Sequence, residues 1–174
     1  MTEGPDSDGV LIHGIPLREL FALYCRCTMV PGARGVDLLS LVDAHRETAE
    51  QSGPIGCIDQ YVLTKDAVVG RTVLTVFGEP VWCVQYTGAF VWPDRRHEVF
   101  LLMLQSTAAS RGMPWRGWNG DSCRWDDLIH RTVPLGEHWT FTQFAGSEYI
   151  ETDDRKVLYR GTVHAALLAS TTEP

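Results

Sequence analysis

A pattern written twice constrains this chain more than any other feature. Gly70, two strand-like runs and Tyr86-Thr87-Gly88 are followed later by Gly146, two strand-like runs and Tyr159-Arg160-Gly161. Superposing Gly70 on Gly146 brings Val73 and Leu74 over Tyr149 and Ile150. Tyr86 then falls over Tyr159 once a small length difference in the hairpin is allowed. Two such hairpin units predict an α+β fold in which they pack across a pseudo-twofold, as an antiparallel β-sheet or a barrel-like core with two to three helices.

The intervening segments carry ordinary helix and strand signals. Residues 1–13 lack periodicity and read as a flexible leader. Leu17 to Cys27 places Leu17, Leu20, Phe21 and Tyr24 at helical spacing after Pro16, with Pro31-Gly32 just beyond. Asp37 to Glu50 reads as a second helix, with Leu38, Leu41, Val42 and Ala49 on one side and Ser52-Gly53-Pro54 as its stop. From Cys57 the period changes to two. Ile58–Leu63, Arg71–Phe77 and Val81–Tyr86 read as strands, the last two forming a hairpin across Gly78-Glu79-Pro80.

Asp94 to Ala109 returns to helical spacing through Val99, Phe100, Leu102, Met103 and Ala108, and Arg111-Gly112 closes it. Met113 to Ser122, rich in Trp and Gly, is expected to be a loop. Trp125–Arg131, Trp139–Phe144, Ser147–Glu151 and Lys156–His164 are strand candidates, with Thr152-Asp153-Asp154-Arg155 turning between the last two. Residues 14–168 make one domain and 169–174 a tail. A chain of 174 residues can bury roughly 70% of its unfolded surface, enough for a core with an internal cavity.

A net charge of −7 argues against a nucleic-acid partner, since phosphate backbones are bound by Lys and Arg. No apolar run reaches the ~20 residues of a membrane span, and no basic segment precedes an apolar one at the N-terminus. A cytoplasmic protein is therefore expected. Its partner is expected to be a small-molecule substrate or ligand, with a homodimer left open. Cys25, Cys27, Cys57, Cys83 and Cys123 are odd in number and irregularly spaced, as for reduced, mostly buried thiols. Cys25-Arg26-Cys27 has no finger spacing, so no metal and no other cofactor is expected.

The run from Gly78 through Pro80-Val81-Trp82 to Tyr86-Thr87-Gly88, then Arg116-Gly117, Phe144-Ala145-Gly146-Ser147-Glu148-Tyr149-Ile150 and Val157-Leu158-Tyr159, resembles the bacterial domain of unknown function 5680. The resemblance covers about Leu38 to Leu168. It implies a ligand-holding module, found alone or behind helix-turn-helix segments in regulators, and it names no reaction. This chain departs from the pattern at Gly70-Arg71-Thr72, where a Gly-x-Glu is expected, and in an N-terminal extension. Glu148 in the second half is thus matched against Thr72 in the first.

Ligand cavities are mostly apolar with a few convergent polar groups, so polar residues on strands are the candidates for chemistry. Asp59 shares an alternating face with Cys57 and Tyr61. A carboxyl there must be paired or have its pKa raised, and a raised carboxyl suits general acid–base work. Its bland alternatives are a turn contact or pairing with Arg71 or Arg116. Glu148 faces the same choice, with Arg116 or Arg160 as ion-pair partners. Tyr86 and Tyr159 hold equivalent repeat positions, and a phenol aimed into a cavity can donate a proton. His138 and His164 are further acid–base candidates, whereas His13, His45, His97 and His130 read as exposed.

Six tryptophans suit stacking on a ring-bearing ligand, and Trp115, Arg116 and Trp118 read as a lid. The expected catalytic set is Asp59, Tyr61, Tyr86 and His138. The expected ligand-contacting set is Trp82, Gln85, Trp115, Arg116, Trp118, Glu148 and Tyr159. Together they point to a cofactor-free acid–base lyase of dehydratase, cyclase or isomerase type. Its expected substrate is a hydrophobic, aromatic or polyketide-like molecule of natural-product or antibiotic biosynthesis. The alternative is a small-molecule-binding or sensor module without turnover.

Overall fold

The computed structural model describes residues 10–33, 44–110, 113, 115–116, 122–136, 140 and 142–169. Structure begins earlier than the expected end of the leader. Leu11–Ile12 (β1) and Ile15–Pro16 (β2) pair about a two-residue turn at His13 and Gly14, both at positive φ, and Ile12 is fully buried. Helix α1, Leu17–Ala33, starts where Pro16 predicts, but it runs through Pro31-Gly32. Proline there lies in the last turn, where its missing N–H removes a single helical bond. Leu17, Leu20, Phe21, Leu23, Tyr24 and Cys27 form its buried face.

The second expected helix is a correction. Residues 37–43 of it lie outside the described residues, and Ala44–Ser52 is a strand, β3. It pairs along its whole length with β4, Ile55–Leu63, from Ala44↔Leu63 to Ser52↔Ile55 about Gly53-Pro54. The pairing overrides the helical spacing of the sequence. Strand β5, Ala67–Val76, and β6, Glu79–Phe90, then form a hairpin. Its turn is Phe77-Gly78, with φ of 53° and 85°, rather than the expected Gly78-Glu79-Pro80. A 3₁₀ turn at Pro93–Arg95 leads into helix α2, Arg96–Ala109.

Four strands follow α2 among the described residues. The candidate strand Trp125–Arg131 is in fact a hairpin of β7, Ser122–Trp125, and β8, Leu128–Pro134, turning at Asp126-Asp127. The candidate Trp139–Phe144 falls partly outside the described residues, and its end merges with Ser147–Glu151 into one strand, β9, Gln143–Thr152. Strand β10, Val157–Leu167, is the last element among the described residues.

The product is an α+β fold with an eight-stranded antiparallel sheet in the order β3-β4-β5-β6-β10-β9-β8-β7, beside the two-stranded β1-β2 pair. The sheet is open, with β3 and β7 as its edges, so the barrel alternative is not realised. Helices α1 and α2 cover one face, which meets the need for a core without closure. Alternate residues facing the helices are buried, as in the run Ile55, Cys57, Asp59, Tyr61 and Leu63 of β4. The opposite face exposes Ile58, Val62, Val69 and Val133.

Gly88 of β6 and Gly161 of β10 pair at the middle of the sheet. The expected superposition of Gly70 on Gly146 does not survive the register. Gly70 faces Tyr86, whereas Gly146 faces Val163 and Tyr159 faces Ile150. Thr72 and Glu148 are therefore not matched by pairing: Thr72 lies between Asp59 and Val84, and Glu148 between Thr132 and Gly161.

Candidate functional site

Helix α1 lies over β3 and β4, α2 over β7 and β8, and the two helices touch. Beneath their junction is a cavity of about 70 Å³. Its floor is Asp59 and Tyr61 of β4, Val68 of β5 and Tyr86 of β6; its walls are Tyr24 and Thr28 of α1 and Phe100, Met103, Leu104 and Thr107 of α2. Trp115 and Arg116, between α2 and β7, close one side. Period-two alternation puts Asp59, Tyr61 and Tyr86 on this face, and helical spacing puts Met103, Leu104 and Thr107 opposite them.

Asp59 is 3% exposed and has no ion-pair partner among the described residues. Its Oδ1 accepts from Thr72 Oγ1 at 2.7 Å and from the Tyr86 hydroxyl at 3.2 Å. Both bonds fall on one oxygen, so Oδ2 has no partner among the described residues. Burial pushes the carboxyl up, against the pull of the Thr72 and Tyr86 bonds and the charge of Arg116. The Tyr86 phenol is raised well above its ordinary range by burial and by the Asp59 charge. Tyr24 is raised by burial as well.

Behind Arg116 stands a second buried polar group. Arg116 Nε donates to Glu148 Oε1 at 2.5 Å and Nη2 to Oε2 at 2.9 Å, a two-pronged ion pair. His130 Nε2 lies 2.7 Å from the same Oε1, and since a carboxylate can only accept, this nitrogen carries the proton. His130 Nδ1 is buried without a partner among the described residues. Burial alone would raise Glu148, but the Arg116 charge and the His130 and Arg116 hydrogen bonds outweigh it and hold the carboxyl near 2. Arg116 stacks on the Trp115 ring at 4.4 Å, its backbone carbonyl accepts from Thr132 Oγ1, and Nη1 has no partner among the described residues.

The cavity thus collects five of the expected residues: Asp59, Tyr61, Tyr86, Trp115 and Arg116. Glu148 takes the ion-pair role with Arg116, while Arg160 is exposed on the far face of the sheet. Tyr159 is buried beside the cavity, its phenol pushed up by burial and by Glu148, and its ring lies over Gly88. Trp82 is a correction. It is wholly buried in the core between Phe21, Tyr24 and Phe144 and does not line the cavity. Gln85 and His164 point to the exposed sheet face, where they line a shallow groove with Arg71. His138 and Trp118 lie outside the described residues.

Sequence reasoning placed His130 on the surface, whereas it is fully buried. The signal that would have found it is its period-two phase with Leu128 and Thr132. Tyr24, read only as a core position of α1, also faces the cavity. Cys27 of α1 and Cys57 of β4 lie side by side as free thiols, and the Cys27 contact and burial push Cys57 up.

Among the described residues no group of His, Cys, Asp and Glu is placed to hold a metal ion, and no helix is long and apolar enough to cross a membrane. Searches against protein families, curated proteins and solved structures found no match to this chain.

Proposed function

We propose that this cavity binds a small molecule and moves a proton on it, in a cofactor-free acid–base reaction of isomerase or dehydratase type. The observation that carries this reading is Asp59: a buried carboxyl with one oxygen fully engaged and the other open to a cavity that also holds the Arg116 guanidinium. Burial makes such a carboxyl a stronger base than one in water, and a fixed cation nearby stabilises negative charge that develops as the proton leaves. Glu148 and His130 hold that cation in place. Tyr86 donates to Asp59, which fixes the rotamer of the base.

A cavity of this size is well below the ~300 Å³ of drug-sized sites, which favours a compact ligand over a polycyclic one. We also read the chain as a doubled unit, each copy a helix followed by four antiparallel strands, with the last strands, β6 and β10, meeting at Gly88 and Gly161. In this reading the acid sits in the first copy and the anchor of its cation in the second.

The alternative is a binding or sensing module. It is favoured by the Tyr86 hydroxyl, whose proton is already given to Asp59 and so is not free for a substrate. A fragment library screened by saturation-transfer NMR, with conversion followed over hours, separates the two. Turnover of a hit by wild type but not by Asp59→Asn supports the enzyme. Hits bound equally by both proteins and never converted support the module.

A further inference from the structure

The unpaired atoms around the cavity describe the ligand that would satisfy them. Oδ2 of Asp59 is an open acceptor on a side chain 3% exposed. Arg116, which also lines the cavity, has spent Nε and Nη2 on Glu148, and its Nη1, a pair of N–H donors, has no partner among the described residues. Trp115, 1% exposed in the cavity wall, has an indole N–H without a partner among the described residues. Free donors and a free acceptor on residues lining one cavity match a molecule with an oxygen at one end and a polarised hydrogen at the other.

Charge decides what kind of oxygen. The Arg116 cation is already matched by Glu148, which its surroundings keep ionised at any pH above about 2. A ligand carboxylate would bring a second buried negative charge beside Asp59 with no further cation among the described residues lining the cavity, a costly arrangement in a largely buried site. A carbonyl oxygen asks only for hydrogen bonds. The volume, about 70 Å³, holds roughly five water-sized atoms.

We infer that the ligand is a compact, uncharged oxo compound, an aldehyde or ketone bearing a hydrogen on the carbon next to its carbonyl, with its oxygen on Arg116 Nη1 and that carbon beside Asp59 Oδ2. This rests on the acid–base reading above and specifies its substrate class. In the step, Oδ2 forms a bond to the proton as the C–H bond breaks, and that electron pair becomes the C=C bond of an enolate. The carbonyl π pair moves onto oxygen, where Arg116 donates to it. Once the Asp59 carboxyl has swapped that proton for one from solvent, its return to the same carbon completes an exchange; its delivery to the former carbonyl carbon of a hydroxyketone, with the hydroxyl proton passing to the enolate oxygen, isomerises the molecule. No oxidant or further reactant is consumed.

The test uses the full chain in D₂O with two probes of similar size, hydroxyacetone and pyruvate, the second carrying a carboxylate. Proton NMR follows loss of the C–H signals, and a ¹H–¹⁵N spectrum follows the Trp115 indole signal. The expected result is hydroxyacetone exchange roughly 100-fold above buffer, abolished in Asp59→Asn, with the Trp115 signal moved by hydroxyacetone and not by pyruvate. A Trp115 shift with hydroxyacetone alone but no exchange supports the ligand class and removes the acid–base reading. Asp59-dependent exchange of pyruvate at an equal or greater rate overturns the class while leaving the acid–base reading standing. Silence of both probes in both measurements overturns the inference.

Discussion

Tyr86 and Gly70 face each other across β6 and β5, and the phenol ring occupies the space a side chain at position 70 would need. A Cβ there would lie 2.4 Å from Cζ and 2.5 Å from the hydroxyl oxygen of Tyr86. Gly70→Ala therefore displaces the ring and with it the hydrogen bond to Asp59. The expected cost is about 1–3 kcal/mol by urea denaturation, as for other overpacked sites. In a Tyr86→Ala background the same substitution should cost far less, because nothing remains to clash. Equal costs in the two backgrounds would show that the ring does not need the glycine.

Glu148 and Arg116 are predicted to be worth more to each other than to the fold. Arg116→Met leaves a buried carboxylate unpaired and should cost about 3–5 kcal/mol, and Glu148→Leu should do comparable harm by stranding the guanidinium. The double substitution removes both charges and should recover most of the loss. A double-mutant cycle measured by chemical denaturation checks this; additive losses would mean that the two residues act independently.

The same pair predicts acid sensitivity with a defined sign. The Glu148 carboxyl titrates near 2 when folded against an ordinary value of 4.5, so the folded state holds it ionised more strongly than the unfolded chain does. Its stabilisation is complete above about pH 4.5 and is lost as pH falls toward 2. Asp127 and Asp154 at the surface shift in the same direction. The informative quantity is therefore the difference between wild type and Glu148→Gln, whose unfolding free energy should fall less steeply across that range.

Asp59 carries the opposite sign. Its folded carboxyl is raised above the ordinary value of 3.8, so the native state holds the proton more tightly, and stability declines as pH rises through the folded titration. Asp59→Asn keeps an oxygen that can accept from Thr72 and Tyr86 and carries no charge to bury. At pH 7 it should melt higher than wild type, by about 2–4 °C for each kcal/mol gained. The gain should shrink at pH 3.5, where the unfolded wild type is also largely protonated. A lower melting temperature at pH 7 would place the native Asp59 charge among the stabilising ones.

How far the sequence could be read depended on the range of the forces at work. Alternation at Ile58 to Leu63 reports which face of a strand is buried, a local property, and it puts Cys57, Asp59 and Tyr61 on the one face that is buried. Ala44 to Glu50 has helical spacing but becomes a strand because β4 offers it an unbroken partner, and no local signal encodes that neighbour. Trp82 and Trp115 show the same limit. Both are large aromatic residues on paper, yet one fills the core and the other lines the cavity, a distinction set by where α1 and the segment after α2 come to rest. His130 was misplaced because its polarity outweighed its phase. The partner that makes its burial tolerable, Glu148, lies on the adjacent strand and 18 positions away in the chain.

The ring of Tyr159 rests on two glycines from different strands: a Cβ at Gly88 would fall 2.0 Å from its hydroxyl oxygen, and one at Gly161 2.6 Å from it. The two glycines are also each other's partners in the sheet, so tyrosine, first glycine and second glycine form a closed triangle. None of the three can change alone without leaving a hole or a collision. In any lineage that carries this fold they should be inherited as one unit, and a chain that has lost the tyrosine should be free to lose both glycines with it.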